Sequence, residues 1–340
     1  MAKRDKLTQK QKRQVAVKHR QRLKKEKQIP QLSDLSESKT GLLVSRYGEQ
    51  ADVFDLFEQK SYRCYLRQNL GSPVPGDKVR FRLASNEQGI VEAIEERDSV
   101  LQRPSQHQGL KPVVANISRI FVVSAPLPDF SAALLDRYLV AVADADIEVV
   151  IVFNKWDLSS EIEQQKIEEQ LEIYKSLGYL VILVSTKTDL GIEQLKQAAL
   201  NHKSILVGQS GVGKSSIINR LFPQQTMLVN EVSENSRLGQ HTTTASKLFL
   251  FEEKTDKTQE IESPYHEFII DSPGIREFGL WHMDQKTIAD GFVEFESFLG
   301  TCKFRDCRHE NEPGCEIIRA VEAQKISRQR WRNYCKIIST

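Results

Sequence analysis

Apolar and polar positions change rhythm three times along the 340 residues. Residues 1–30 hold few apolar side chains and no sustained period, so they predict no packed element. From 42 to about 97 the rhythm is short, with several runs alternating apolar and polar. Runs at 42–44, 51–54, 62–65, 78–81 and 89–94 are separated by turn signals such as Gly71-Ser72-Pro73 and Pro75-Gly76-Asp77. Five short strands in so small a space predict a Greek-key barrel of OB type. Residues 100–116, with Pro104, Gly109 and Pro112, read as a linker. Beyond them strands and helices alternate. Strands are predicted at 117–123, 147–153, 180–184, 204–207, 247–251 and 268–270, and helices at 130–143, 160–177 and 192–200. That alternation predicts a doubly wound α/β unit with a mainly parallel sheet. Residues 316–338 read as one helix. The expected organisation is a basic tail (1–35), a barrel (36–99), an α/β unit (100–283) and a small helical domain (284–340).

A hydrophobic content of 39% is enough for globular cores. The longest apolar run, 149–153, is far too short for a bilayer span, and no apolar stretch follows the charged N-terminus as a secretory signal requires. A cytoplasmic chain without membrane contact, acting as a monomer, is expected. The net charge of +2 hides an asymmetry. Residues 1–30 hold twelve Lys or Arg against Asp5 and Glu26, about +10, so the remaining 310 carry about −8. Such a tail screens phosphates on a nucleic acid or simply solubilises the chain. Five cysteines do not make a disulfide scaffold.

The strongest chemical signal is Gly208-Gln209-Ser210-Gly211-Val212-Gly213-Lys214-Ser215, followed by Ser216. It fits G-x-x-x-x-G-K-[ST] between an apolar run and a helical pattern, the context a phosphate-binding loop needs. The glycines bring backbone N–H groups close to phosphates, Lys214 reaches the β- and γ-phosphates, and Ser215 offers its hydroxyl to Mg²⁺. Asn154-Lys155-Trp156-Asp157 ends the 147–153 strand. Asp157 can accept two hydrogen bonds from guanine that adenine cannot offer, the Lys155 stem packs along the base, and Asn154 can tie this loop to the phosphate loop. A metabolic kinase is disfavoured by this guanine preference. Ser185-Thr186-Lys187 follows the next strand and can supply an N–H to the guanine oxygen. Asp271-Ser272-Pro273-Gly274 lies at another strand end, where Asp271 would hold Mg²⁺ through water and the Gly274 N–H would face the γ-phosphate. Between them, Thr243 of His241-Thr242-Thr243-Thr244 is the expected switch ligand to Mg²⁺, with its neighbours not excluded. Ile275 stands where Ras-type enzymes place a water-orienting Gln. Intrinsic hydrolysis should therefore be slow. His241 or a partner would supply the missing group; His241 reads equally well as a surface switch residue.

Cys302, Cys307, His309 and Cys315 form a Cys₃His set suited to one structural, tetrahedral Zn²⁺, with Cys335 as a rival ligand. After it come Arg319, Lys325, Arg328, Arg330, Arg332 and Lys336, with Trp331 and Tyr334 interleaved. Two readings stand: a basic, aromatic face for RNA, or a helix that packs Trp331 into its own core.

The guanine motif precedes the phosphate loop, which inverts the usual GTPase order. Together with HTTT, DSPG, the leading barrel and the trailing Cys₃His knuckle, this order resembles the bacterial small ribosomal subunit biogenesis GTPases of the RsgA family, over residues 42 to the C-terminus. The resemblance implies an OB barrel, a circularly permuted P-loop GTPase domain and a C-terminal α-helical zinc-binding domain. It implies a GTP hydrolase stimulated by the small subunit and its rRNA, and a late maturation checkpoint. It carries guanine recognition onto Asn154, Lys155 and Asp157, phosphate and Mg²⁺ onto 208–216, and zinc onto Cys302, Cys307, His309 and Cys315. A GTP-gated RNA-binding protein with negligible turnover is the alternative.

Overall fold

A computed structural model describes residues 35–85, 87–105, 109–145, 147–223, 247–251, 267–271, 280 and 283–339. The five alternating runs form β1 (Lys39–Tyr47), β2 (Gln50–Asp55), β3 (Lys60–Leu66), β4 (Lys78–Leu83) and β5 (Gly89–Ile94). They close into a barrel of order β1-β2-β3-β5-β4, antiparallel except for the β3–β5 pair. Leu43, Val53, Cys64, Val79, Phe81 and Val91 fill its interior.

Residues 100–116 are not a linker. They form a hairpin of β6 (Val100–Ser105) and β7 (Gly109–Ala115). Pro104 and Pro112 read as breakers, yet a two-stranded ribbon tolerates proline because each strand keeps an outer edge. The hairpin buries Leu101 and Val114 in a cluster shared with Leu42 and Phe54 of the barrel and Ile120 of the next strand. Asn116 fixes the junction: its side-chain amide donates to the Gly76 carbonyl at 2.8 Å and its Oδ1 accepts from the Asp98 N–H at 2.7 Å.

The α/β unit follows the sequence pattern closely. Its strands are β8 (Arg119–Ser124), β9 (Glu148–Phe153), β10 (Leu180–Leu183), β11 (Lys203–Val207), β12 (Lys247–Leu250) and β13 (Phe268–Asp271). The sheet order is β10-β9-β8-β11-β13-β12, parallel except for β12. Alternate residues of β8 enter different cores: Ile120 and Val122 face one, Phe121 and Val123 the other. Helices α1 (Ala132–Val142) and α2 (Glu161–Ser176) cover the first face. Helices α3 (Ile192–Ala199) and α4 (Lys214–Leu221) cover the second. Such double coverage explains the unbroken apolar strands. A capping box between Ser160 and Glu163 starts α2.

The C-terminal region holds α5 (Gln285–Asp290), a 3₁₀ turn (Val293–Phe298), α6 (Glu316–Glu322) and α7 (Arg328–Ile338). The single helix expected over 316–338 is therefore two. Gln324 takes a left-handed conformation (φ 59°) and the chain turns Ile326 into the core, so α6 ends before α7 begins. Phe292, Phe295, Ile317, Ile326 and Tyr334 form this core together with Val140 of α1.

Arg330 is buried rather than presented to RNA. Its guanidinium holds both oxygens of Glu294, at 2.7 and 2.9 Å, and bonds Asp136 of α1. Asp136 also accepts from Tyr174 of α2 at 2.7 Å and Asn333 of α7 at 2.6 Å. Burial opposes charge on Arg330, but the hydrogen bonds to Glu294 and the field of Asp136 outweigh it and raise its pKa. Burial pushes the Asp136 carboxyl upward, against the pull of the same contacts. Trp331 donates its indole N–H to the His309 carbonyl at 2.7 Å and Tyr334 is buried, so both aromatic rings serve the domain itself.

Candidate functional site

Chain order runs outward from β8 through β9 to β10, then returns to place β11 on the other side of β8. The crevice outside the carboxyl ends of β8 and β11 is thus a topological switch point, where open α/β sheets bind ligands. Every described motif of the α/β unit lies at the carboxyl end of a strand: Asn154 after β9, Ser185 just beyond β10, Gly208 after β11, Asp271 ending β13.

Two glycines make the loop after β11 possible. A Cβ on Gly208 (φ +143°) would meet the Val123 carbonyl oxygen at 2.2 Å, and one on Gly213 (φ +95°) would meet Asn154 Nδ2 at 2.3 Å. The second approach matters because Asn154 is buried and donates from Nδ2 to the Val212 carbonyl at 2.9 Å. Lys155, left-handed at φ 60°, reaches the Gly211 carbonyl at 2.5 Å and the Leu127 carbonyl at 3.1 Å. The structure therefore joins the 154–157 loop to the phosphate loop by two side chains. Asp157 accepts from the Ser185 hydroxyl at 2.6 Å, and that hydroxyl accepts the Lys187 and Thr188 N–H groups at 3.3 and 3.2 Å. Thr186 and Lys187 are thereby held beside Asp157. Trp156 is different: its ring packs edge-on to Phe153, 5.8 Å between centroids, so it anchors the loop to the core.

Gln209, Ser210 and Gly211 lie at the loop's tip, and Ser215 and Ser216 open α4 on its exposed side. Lys214 folds back onto the Gly208 and Gln209 carbonyls at 2.7 and 2.8 Å. The Ser215 hydroxyl lies 3.3 Å from Asp271 Oδ2, so a hydroxyl to ligate Mg²⁺ and a carboxylate to hold one of its waters stand side by side. The donor set fits that ion. His241, Thr243 and Gly274, Ile275 beside it, and the 1–34 tail lie outside the described residues. One wall was missed from sequence. Pro128 comes within 3.9 Å of a Cβ placed on Gly211, and the neighbouring Leu127 carbonyl holds Lys155. Its signal was faint: a proline shortly after a strand end.

The second site is the cysteine cluster. The ligand atoms of Cys302, Cys307, His309 and Cys315 all lie within 4.8 Å of one another, and Cys335 does not join them. Cys302 and Cys315 sulfurs are 3.9 Å apart, and each is 3.5 Å from His309 Nδ1. A tetrahedron with metal–sulfur bonds of about 2.3 Å and metal–nitrogen bonds of about 2.0 Å has edges of this length. These four residues fit a metal ion, with Nδ1 as the imidazole donor.

Comparison with known proteins agrees with this geometry. The family model described as RsgA GTPase matches residues 94–281. A small ribosomal subunit biogenesis GTPase RsgA from Pectobacterium atrosepticum is 44% identical over 98% of this chain and 95% of its own length. The crystal structure of YjeQ from Thermotoga maritima superposes with a TM-score of 0.67 at 29% identity, covering 89% of this chain and 98% of that one. That of YloQ, titled a circularly permuted GTPase, gives 0.64 at 24% identity, covering 91% and 96%, a likeness of fold.

Proposed function

The chain belongs to the RsgA GTPase family, and on that premise we propose that it hydrolyses GTP to GDP and phosphate as a late checkpoint on the small ribosomal subunit. The GTP form binds the immature subunit, hydrolysis relaxes the switch segments, and release follows. The observation that carries the nucleotide reading is the Asn154–Val212 hydrogen bond at 2.9 Å, which clamps a guanine-reading loop to a phosphate loop across the switch point.

In this reading Asp157 accepts from the guanine edge while Ser185 holds it in place. The Lys155 stem lies along the base. The backbone N–H groups of 208–216 surround the phosphates, and Lys214 exchanges its two loop carbonyls for the β- and γ-phosphates. Ser215 and Thr243 would hold Mg²⁺ directly and Asp271 through water, and the ion would supply charge neutralisation on the phosphates. Gly274 would face the γ-phosphate. Ile275 cannot orient a water, so the subunit, or His241 under its influence, completes the site. The Cys₃His cluster takes one structural Zn²⁺: its ligand set has no open position for chemistry. No helix among the described residues is long and apolar enough to cross a membrane.

GTP turnover is expected to rise ten-fold or more when purified small subunits are added at fixed moderate salt, about 1.4 kcal/mol off the barrier. Flat turnover with tight, GTP-dependent subunit binding would favour the non-catalytic gate, for which the apolar Ile275 is the specific argument. Neither stimulation nor binding would remove the subunit as partner. Base choice has its own check. Asp157→Asn should weaken GTP binding about 10- to 100-fold, the size of hydrogen bonds to a charged acceptor. GTP and ATP binding equally well before and after the change would end the guanine assignment.

A further inference from the structure

Two open grooves of about 590 and 380 Å³ meet where the first turns of α1 face α7. Lys336 lines both. Arg137 of α1 lines the larger, and Arg328 and Arg332 line the smaller. Among the described residues no acidic side chain lines either one. Beyond residue 30 the chain carries about −8, so this is a local reversal of charge.

The spacing of the cations is regular. Arg328, Arg332 and Lys336 are four residues apart on one helix, hence on one face and about 6 Å apart along its axis. That repeat is close to the separation of successive phosphates on one nucleic-acid strand. Arg328 and Arg332 are exposed, and neither joins an ion pair among the described residues. The opposite face of the same helix carries Arg330 and Tyr334, both buried and hydrogen-bonded, and Asn333 at the floor of the smaller groove is tied to Asp136. The basic face is therefore presented by a helix whose back is fixed. Gln170 and Gln329 lie on the groove wall, where the Gln329 amide donates to Gln170 Oε1 at 3.5 Å and leaves the Gln170 amide N–H as a donor toward ribose and phosphate oxygens.

We propose that this groove takes the phosphate backbone of a single RNA strand. The proposal rests on the ribosomal reading above and names the surface that serves it. Three of the six cations in residues 316–338 take part: Arg330 is spent on the interior, Arg319 pairs with Glu316, and Lys325 lines neither groove. An acidic protein surface is the rival occupant.

The test compares Arg328→Gln/Arg332→Gln with Arg319→Gln/Lys325→Gln, a control of equal charge outside the groove, in the full-length protein. Binding to purified small subunits and to a labelled single-stranded RNA oligomer is measured across a salt series. The groove variant is expected to bind both probes about ten-fold more weakly at moderate salt. Its slope of log affinity against log salt should be shallower by about 1.4, the value for two lost single-strand phosphate contacts. The control should follow the wild type. Equal losses in both variants would mean general charge alone, and overturn the groove. A groove variant weakened toward subunits but unchanged toward the oligomer would assign the groove to a protein surface instead. Oligomer binding that depends on the groove, without any subunit binding by the wild type, would keep the groove and remove the ribosomal reading. Wild-type protein that binds neither probe would remove both.

Discussion

Stripping the metal from Cys302, Cys307, His309 and Cys315 is expected to unfold residues 301–315 while the sheet stays folded. Between these limits only His309 and Cys315 are buried, and Phe304 is 43% exposed. The segment has almost no apolar core of its own, so burial cannot offset the entropy of about 1–2 kcal/mol per residue that ordering its backbone costs. Metal binding, worth roughly 10–16 kcal/mol, supplies a large share of that cost, and without it the segment loses its main support. The purified protein should contain one zinc per chain by metal analysis, and none after chelation. Amide exchange in 301–315 should then become fast, while β8, β9 and β11 keep their protection. Trp331 should report the loss, since its indole N–H bonds the His309 carbonyl. Unchanged protection in a demonstrably metal-free chain would show that the knuckle is held by packing instead.

Arg330→Met should be nearly as damaging, at a site far from any ligand. The substitution keeps much of the apolar stem but leaves Asp136 and Glu294, both almost fully buried, without their shared cation. Removing one partner of a buried pair costs about 3–5 kcal/mol. Exchange protection of α7 amides should fall by roughly two to three and a half orders of magnitude, at 1.4 kcal/mol per ten-fold. Asp136→Asn keeps the shape and the oxygen that accepts from Tyr174, needs only a flip of the Asn333 amide to avoid facing donors, and leaves Arg330 paired with Glu294, so its loss should be smaller. A change below about 1 kcal/mol for Arg330→Met would mean that water reaches the pair and that the network is not what joins the C-terminal domain to α1 and α2.

The sequence exposed features whose determinants lie close together along the chain. The phosphate loop, the 154–157 loop and the cysteine set each sit within fourteen residues or fewer, and strand or turn context made them legible. The barrel was legible because its strands alternate and its turns carry glycine and proline. What stayed hidden depended on distant partners. Arg330 reads as one more exposed cation in a basic helix, since Asp136 lies 194 residues away in sequence. The 100–116 hairpin was hidden by its two prolines, which read as breakers until the register pairs Gln102 with Pro112 and Pro104 with Leu110. The break between α6 and α7 has no glycine or proline to announce it; Gln324 adopts the left-handed turn because Ile326 must reach the core.

The strand order also bears on the chain as it is being made. β8 emerges with β9 and β10, but its other neighbour, β11, begins about 80 residues after β8 ends. At about 5–20 residues per second, the ribosome needs on the order of 4–16 s to deliver it. For that interval Ile120, Phe121, Val122 and Val123 form an apolar strand with one bare hydrogen-bonding edge, the feature that finished sheets conceal. In the ordinary GTPase order the phosphate-loop strand is synthesised first and waits for its neighbours. Here it arrives fourth of six, so β8 is shielded from wrong partners only when the phosphate-loop strand slides in beside it, and that strand in turn waits for β13.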